Sequence, residues 1–249
     1  GGYCCAEVCA SDLAEPQQGG FLRPRAQQIE LATPLVSDGQ FVWGPNVGAF
    51  DIGAYLGMIR SPLAAYADDL ALWSGYSSVN PKVLLAVLEL RHGLVLTPAD
   101  DLDPAQVRSQ IQAAALDLAT AFYEHLYAVG ARSSGADPPA SMTMLELADG
   151  SLVQLDSVAS SGTYAVARAL GISNDLPSWM EAVSAESTAG FVAVFGAMFP
   201  DTDLLDTSND INPAAAPPAD LLQFPFPLGA TWTFSGAHNW NGGSAPPPY

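Results

Sequence analysis

The sequence predicts a mainly α-helical chain with one β-hairpin, followed beyond a linker by a short β-prone segment. Three observations carry that reading. Apolar residues recur every three or four positions through most of 51–199, as one buried helix face requires. Between Met144 and Leu155 the period changes to two around Asp149-Gly150, a strong hairpin dipeptide. A stretch rich in Asp, Asn, Ala and Pro over 201–220 then precedes a cluster of aromatic residues.

Taken in order, residues 1–28 show little periodicity and read as an arm containing Cys4, Cys5 and Cys9. Residues 29–42 are broken by Pro34 and Asp38-Gly39 and suit a loop or short strand. Residues 51–72 fit two short helices parted at Ser61-Pro62, with Met58, Leu63, Leu70 and Leu72 among the apolar positions. Asn80 as cap, Pro81 at the first helical position and Gly93 as stop define the next helix, with Arg91 and His92 in its last turn. Asp103-Pro104 opens a long helix that Gly130 is expected to close, and helical character returns over 161–170, 176–183 and 187–199. These elements divide the chain into an arm (1–28), a helical region (29–200), a linker (201–215) and a β-rich segment (216–249).

A chain of 249 residues with 49% hydrophobic and 14% charged residues buries a substantial core. With 26 acidic against 8 basic residues the net charge is −18, which makes nucleic acid and anionic membrane surfaces poor partners. The longest apolar runs, 83–88 and 191–199, are too short to span a bilayer. Opening on Gly1-Gly2 means that a leader has been removed or that these residues lie inside a longer protein. The three cysteines allow a local disulfide with an odd thiol, an intermolecular bridge or a partial metal site. A disulfide in an oxidising compartment is the favoured reading, because three thiols do not complete a four-ligand zinc shell.

After the linker the chain reads Leu221-Leu222-Gln223-Phe224-Pro225-Phe226-Pro227, then Gly229-Ala230-Thr231-Trp232, then Gly236-Ala237-His238. This run resembles the opening of the mature domain in beta-lytic and staphylolysin-like zinc peptidases, which are secreted bacterial enzymes that cleave peptidoglycan cross-bridges. Phe41-Val42-Trp43-Gly44-Pro45, the 80–89 run and Ser161-Gly162-Thr163-Tyr164-Ala165 resemble the helical N-terminal region of such enzymes. The resemblance implies an extracellular, bacterial protein whose helical part is a pro-region, chaperone or wall-targeting module, with peptidoglycan as partner. It implies zinc in the complete enzyme, with His238 as the first ligand. The family's aspartate and His-x-His do not follow before Tyr249. His238 is therefore a latent ligand in an incomplete set, and neither metal nor peptidase activity is expected of this chain alone. The strands of 216–249 would be completed by the missing peptidase half, by the helical surface or by another copy, the last giving a self-assembling extracellular protein.

The rival enzyme reading rests on Glu89, near the end of an apolar helix before a glycine-marked loop, as in the general acid of a lysozyme-like fold. Against it, Glu89 is followed by Leu90-Arg91-His92-Gly93 rather than Ser-Gly, no Gly-x-x-Gln turn follows, and Arg91 or Lys82 is placed to pair with it. His125 reads as a surface or groove residue of the long helix. Ser160, Ser161 and Gly162 invite a nucleophile reading, but no histidine or acid stands at a motif spacing from them. Trp and Tyr side chains suit sugar stacking, with core packing the commoner use.

Overall fold

In a computed structural model of the chain the residues described are 26–29, 31, 34–44, 50–96, 102–133, 144–155 and 160–208. The chain separates into two units, Gly1–Ile211 and Asn212–Tyr249. All described residues belong to the first.

The organising element is α4 (Pro81–His92). Every residue from Val83 to Leu88 is fully buried, so the helix is apolar around its whole circumference and is wrapped by other helices. Its ends form as the sequence predicts. Asn80 Oδ1 accepts from Lys82 N at 2.9 Å, and Pro81 fills the position whose missing N–H costs nothing. Gly93 takes φ +61°, the left-handed region, while its N–H donates to Glu89 O at 2.7 Å.

Against α4 pack α3 (Ala67–Ser77), α5 (Pro104–Ser133), α6 (Ser161–Gly171) and α8 (Phe191–Met198), while α1 (Asp38–Phe41) packs on α6, α2 (Ile52–Met58) on α3, and α7 (Leu176–Val183) on α6 and α8. A 3₁₀ turn, Pro62–Tyr66, leads into α3, so the break expected at Ser61-Pro62 is present. The longest helix, α5, buries Val107, Ile111, Ala115, Leu118 and Phe122 on one stripe. It runs on to Ser133 instead of stopping at Gly130. A glycine inside a helix costs only about 1 kcal/mol, and nothing like the left-handed cap of Gly93 is present to end the helix there.

Three other expectations are corrected. Residues 38–41 are one turn of helix, capped by Ser37 Oγ accepting from Gln40 N at 3.2 Å, where a loop or strand was expected. The helix expected from residue 187 begins at Phe191. Ser187 and Gly190 first close two turns onto Ser184 O and Ser187 O, and a Cβ on Gly190 would stand 2.4 Å from Ser184 O. Leu72 and Met58, two of the apolar positions whose spacing predicts the helices of 51–72, are 61% and 72% exposed and so lie off the buried face.

Three short strands make one sheet in the order β1-β3-β2, with β1 Gln27–Ile29, β2 Met144–Glu146 and β3 Leu152–Leu155. β2 and β3 form the expected hairpin, with Leu145 opposite Val153. Gly150 has φ +79°, and Asp149 Oδ1 accepts from Ser151 N at 2.9 Å. β1 lies across the end of the expected arm and pairs in parallel with β3, Gln27 opposite Val153. Three residues are too few to show a period, so only the distant partner strand reveals it. Ala148 N donates to Gly171 O at 3.0 Å and fixes the hairpin to the end of α6.

Candidate functional site

Two polar clusters interrupt the apolar core, and each contains a residue that the sequence had marked for chemistry.

The first surrounds Glu89, half-buried in the last turn of α4. Its Oε2 accepts from Val95 N at 2.7 Å and from Leu96 N at 2.9 Å, tying the segment after Gly93 back onto the helix. Two amide donors on one oxygen fix the position of this carboxyl group within the fold. The basic partners expected for Glu89 are elsewhere. Arg91 Nη1 pairs with Asp117 Oδ2 at 2.9 Å. Lys82 Nζ donates to Thr202 Oγ1 at 2.8 Å and sits over the rings of Phe50 and Phe199, 5.3 and 5.6 Å from their centroids. Burial lowers the Lys82 pKa, and Asp201 opposes that shift. His92, half-buried beside this cluster, has its pKa lowered first by burial and then by the Arg91 charge.

The second cluster sits at the N-terminus of α6. Ser160 caps the helix, its Oγ accepting from Thr163 N at 3.1 Å. Thr163 Oγ1 accepts from Leu35 N at 2.9 Å and Val36 N at 3.3 Å, so a side chain satisfies two buried amides that no strand serves. Ser160 Oγ lies 2.8 Å from Val36 O, and Asp38 Oδ1 accepts from Gly162 N at 2.8 Å. Gly162 is a steric necessity, because a Cβ there would stand 2.9 Å from Phe41 Cβ and 3.1 Å from Ser37 O.

The fold also brings a histidine to this cluster. His125 is 2% exposed, not a surface residue. Its Nδ1 shares a hydrogen bond of 3.0 Å with Ser161 Oγ, and its ring stacks on Tyr164 at 4.7 Å. Burial raises the Tyr164 pKa, and Arg168 pairs with Glu124 alongside. A serine beside a histidine at a helix N-terminus has the parts of a nucleophile with oxyanion donors. Here those parts are already used: Gly162 N–H goes to Asp38, Thr163 N–H goes to Ser160, and Ser161 is 3% exposed. The pair therefore fastens α5 to α6. Sequence reading missed it because the partners lie on two helices. The Ser160-to-Thr163 spacing before an apolar run was a legible cap signal for part of it.

No group of three His, Cys, Asp or Glu side chains that could hold a metal ion occurs among the described residues, so they do not fit a zinc site. His238, Cys4, Cys5 and Cys9 lie outside the described residues. No described helix is long and apolar enough to cross a membrane.

Comparison with known proteins places this architecture among relatives. The chain is 28% identical over 234 residues to Protease LasA of Pseudomonas aeruginosa strain PAO1, an alignment covering 88% of this chain and 52% of that protein. Protease LasA of strain UCBPP-PA14 matches to the same extent. The chain thus spans about half the length of the curated relatives it matches. No solved structure matches it significantly. The family model described as LasA, N-terminal domain, matches residues 34–212, which take in both polar clusters and every described helix. The chain belongs to the LasA N-terminal domain family.

Proposed function

We propose that residues 34–212 are the helical pro-region of a secreted bacterial peptidoglycan peptidase, which assists the folding of the zinc-bearing half, restrains it and accompanies it to the cell wall. One observation carries this reading. The match to an N-terminal domain ends at residue 212, inside the expected linker, and 216–249 resemble the opening of a peptidase domain. The described polar clusters support it, since Glu89, His125 and Ser161 are all engaged within the fold. Zinc belongs to the complete enzyme, with His238 as one ligand. Among the described residues no three His, Cys, Asp or Glu side chains are grouped so as to hold a metal ion.

The test has two arms. In the first, the chain is incubated with purified cell walls, with and without added zinc, and turbidity is followed. No clearing is expected, and Glu89→Gln changes nothing. Clearing that disappears in Glu89→Gln would establish the muramidase reading instead. In the second, the peptidase half of Protease LasA is refolded with and without this chain in equimolar amount. A higher yield of folded peptidase, with activity suppressed while the chain is present, is expected. No effect on yield or activity at large excess of the chain would refute the pro-region role.

A further inference from the structure

Residues 199–208, between the end of α8 and the rest of the expected linker, form a strap with neither helix nor strand. Its first residue is firmly held. Phe199 is buried, its ring stands 4.9 Å from that of Tyr55, 5.1 Å from Phe195 and 5.6 Å from Phe50, and the Lys82 ammonium lies over it. Pro200 follows and fixes one backbone dihedral. Beyond this point the hold weakens. Leu204 is the one buried side chain of 201–208, and Asp201, Asp203, Leu205, Thr207 and Ser208 are exposed. Local turns shape the strap: Thr202 N donates to Phe199 O, Leu205 N to Asp203 Oδ1 and Ser208 N to Asp206 Oδ1. Asp201, Asp203 and Asp206 stand within six residues and repel one another. A segment with so little buried apolar surface belongs to the part of a fold that opens at low cost.

What ties the strap down is also on the page. Lys82 Nζ donates to Thr202 Oγ1 at 2.8 Å. Ser37 meets the strap twice, its N donating to Leu204 O at 2.9 Å and its Oγ to Asp206 O at 2.6 Å. The same Ser37 hydroxyl caps α1, accepting from Gln40 N at 3.2 Å. A hydroxyl has one proton and two lone pairs, so the bond given to Asp206 O orients the oxygen that Gln40 N uses. Ser37 and Gln40 are each 5% exposed. A single helical turn does not hold itself together, so α1 depends on what fastens its two ends. Its far end belongs to the core, where Phe41 stacks on Phe122 and Phe41 O accepts from Asn80 N at 2.8 Å. Its near end is linked to the strap through Ser37.

We propose that residues 201–208 are a latch that opens as a unit about Phe199-Pro200, with Ser37 Oγ passing its open or shut state to the α1 cap while the α4–α5 core stays folded. Any pull on the chain that follows Ser208 acts on this latch before it reaches the core. The coupling runs both ways, so a firm α1 cap favours the shut latch. The inference concerns the helical unit alone and does not depend on the pro-region reading. Amide hydrogen exchange of the full chain, resolved by NMR over a series of sub-denaturing urea concentrations, tests it. Leu205, Asp206, Ser37 and Gln40 are expected to share one opening free energy, lower than that of Leu85 and Phe122. It should be nearly insensitive to urea, because opening the latch exposes little surface. Thr202→Val removes the acceptor of Lys82 and should speed exchange at Ser37 and Gln40 about tenfold, the scale of one hydrogen bond to a charged group, although it touches neither. Leu204→Asp puts a carboxylate in a buried site and should hold the latch open, stripping protection from Ser37 and Gln40 while Phe122 stays protected. The proposal fails if Gln40 exchanges only with Phe122 while Leu205 and Asp206 open earlier, because the hydroxyl then passes nothing on. It fails equally if all these amides exchange together with Leu85 and Phe122, because no separate latch then exists. Should Leu204→Asp not fold, the urea series on the unaltered chain decides alone.

Discussion

Thr163→Val asks whether the α6 cluster is as important to the fold as its geometry implies. Valine keeps the shape and volume of threonine but has no hydroxyl, so packing in this fully buried site is preserved while hydrogen bonding is lost. The amide of Leu35, 2.9 Å from Oγ1, and that of Val36, at 3.3 Å, lose their acceptor in a place without solvent access. Val36 O keeps Ser160 Oγ, 2.8 Å away, and needs no replacement. A buried donor left unsatisfied costs about 1–3 kcal/mol. With the longer Val36 bond counted at the lower end, the sum is about 2–4 kcal/mol. That is a large share of the roughly 5–15 kcal/mol by which a domain is stable. It should lower Tm by on the order of 5–15 °C for a unit of this size. Urea unfolding followed by circular dichroism measures it, as a lower midpoint with an unchanged slope. Thr163→Ser keeps the hydroxyl and removes one methyl group, and should cost no more than about 1 kcal/mol. If Thr163→Val lies within about 0.5 kcal/mol of wild type, or if Thr163→Ser is equally damaging, the hydroxyl does not hold the 35–36 segment and the argument fails.

Two further outcomes follow from neighbouring geometry. Gly162→Ala should destabilise by about 1–3 kcal/mol through overpacking: its Cβ would meet Phe41 Cβ and Ser37 O, neither of which can swing aside, and the same urea titration detects the loss. Stability should decline in two stages as pH falls, read from thermal melts between neutral pH and pH 3. Burial holds the His92 pKa below its ordinary 6.5, so the unfolded chain binds the proton first and stability drops as pH falls through that value. Asp149, through the Ser151 amide, and Asp175, through Ser178, have lowered pKa values, so their contribution is present above the ordinary 3.8 and disappears below it. His92→Asn should remove the first stage and leave the second.

Much of this protein is determined locally and is legible in the sequence. Asn80-Pro81 and Gly93 fix the ends of α4, and Asp149-Gly150 fixes the hairpin, because caps and turns depend on a few adjacent residues and on which φ values they tolerate. The apolar stripe of α5 is likewise a property of its own period. Only the tertiary structure decides features whose partners are distant in sequence. β1 exists because β3 pairs with it, and the Ser37–Phe41 turn is held by α6. His125 is buried because α6 covers it, and Glu89 anchors a loop because the chain after Gly93 folds back to meet it. The solvent position of Leu72 and Tyr76 belongs here too. Their helix is short, its apolar residues are spread around the axis, and the sequence cannot tell which of them the neighbouring helices will cover. Local steric rules read out directly along the chain, whereas burial and pairing are collective and exist only once the elements have been assembled.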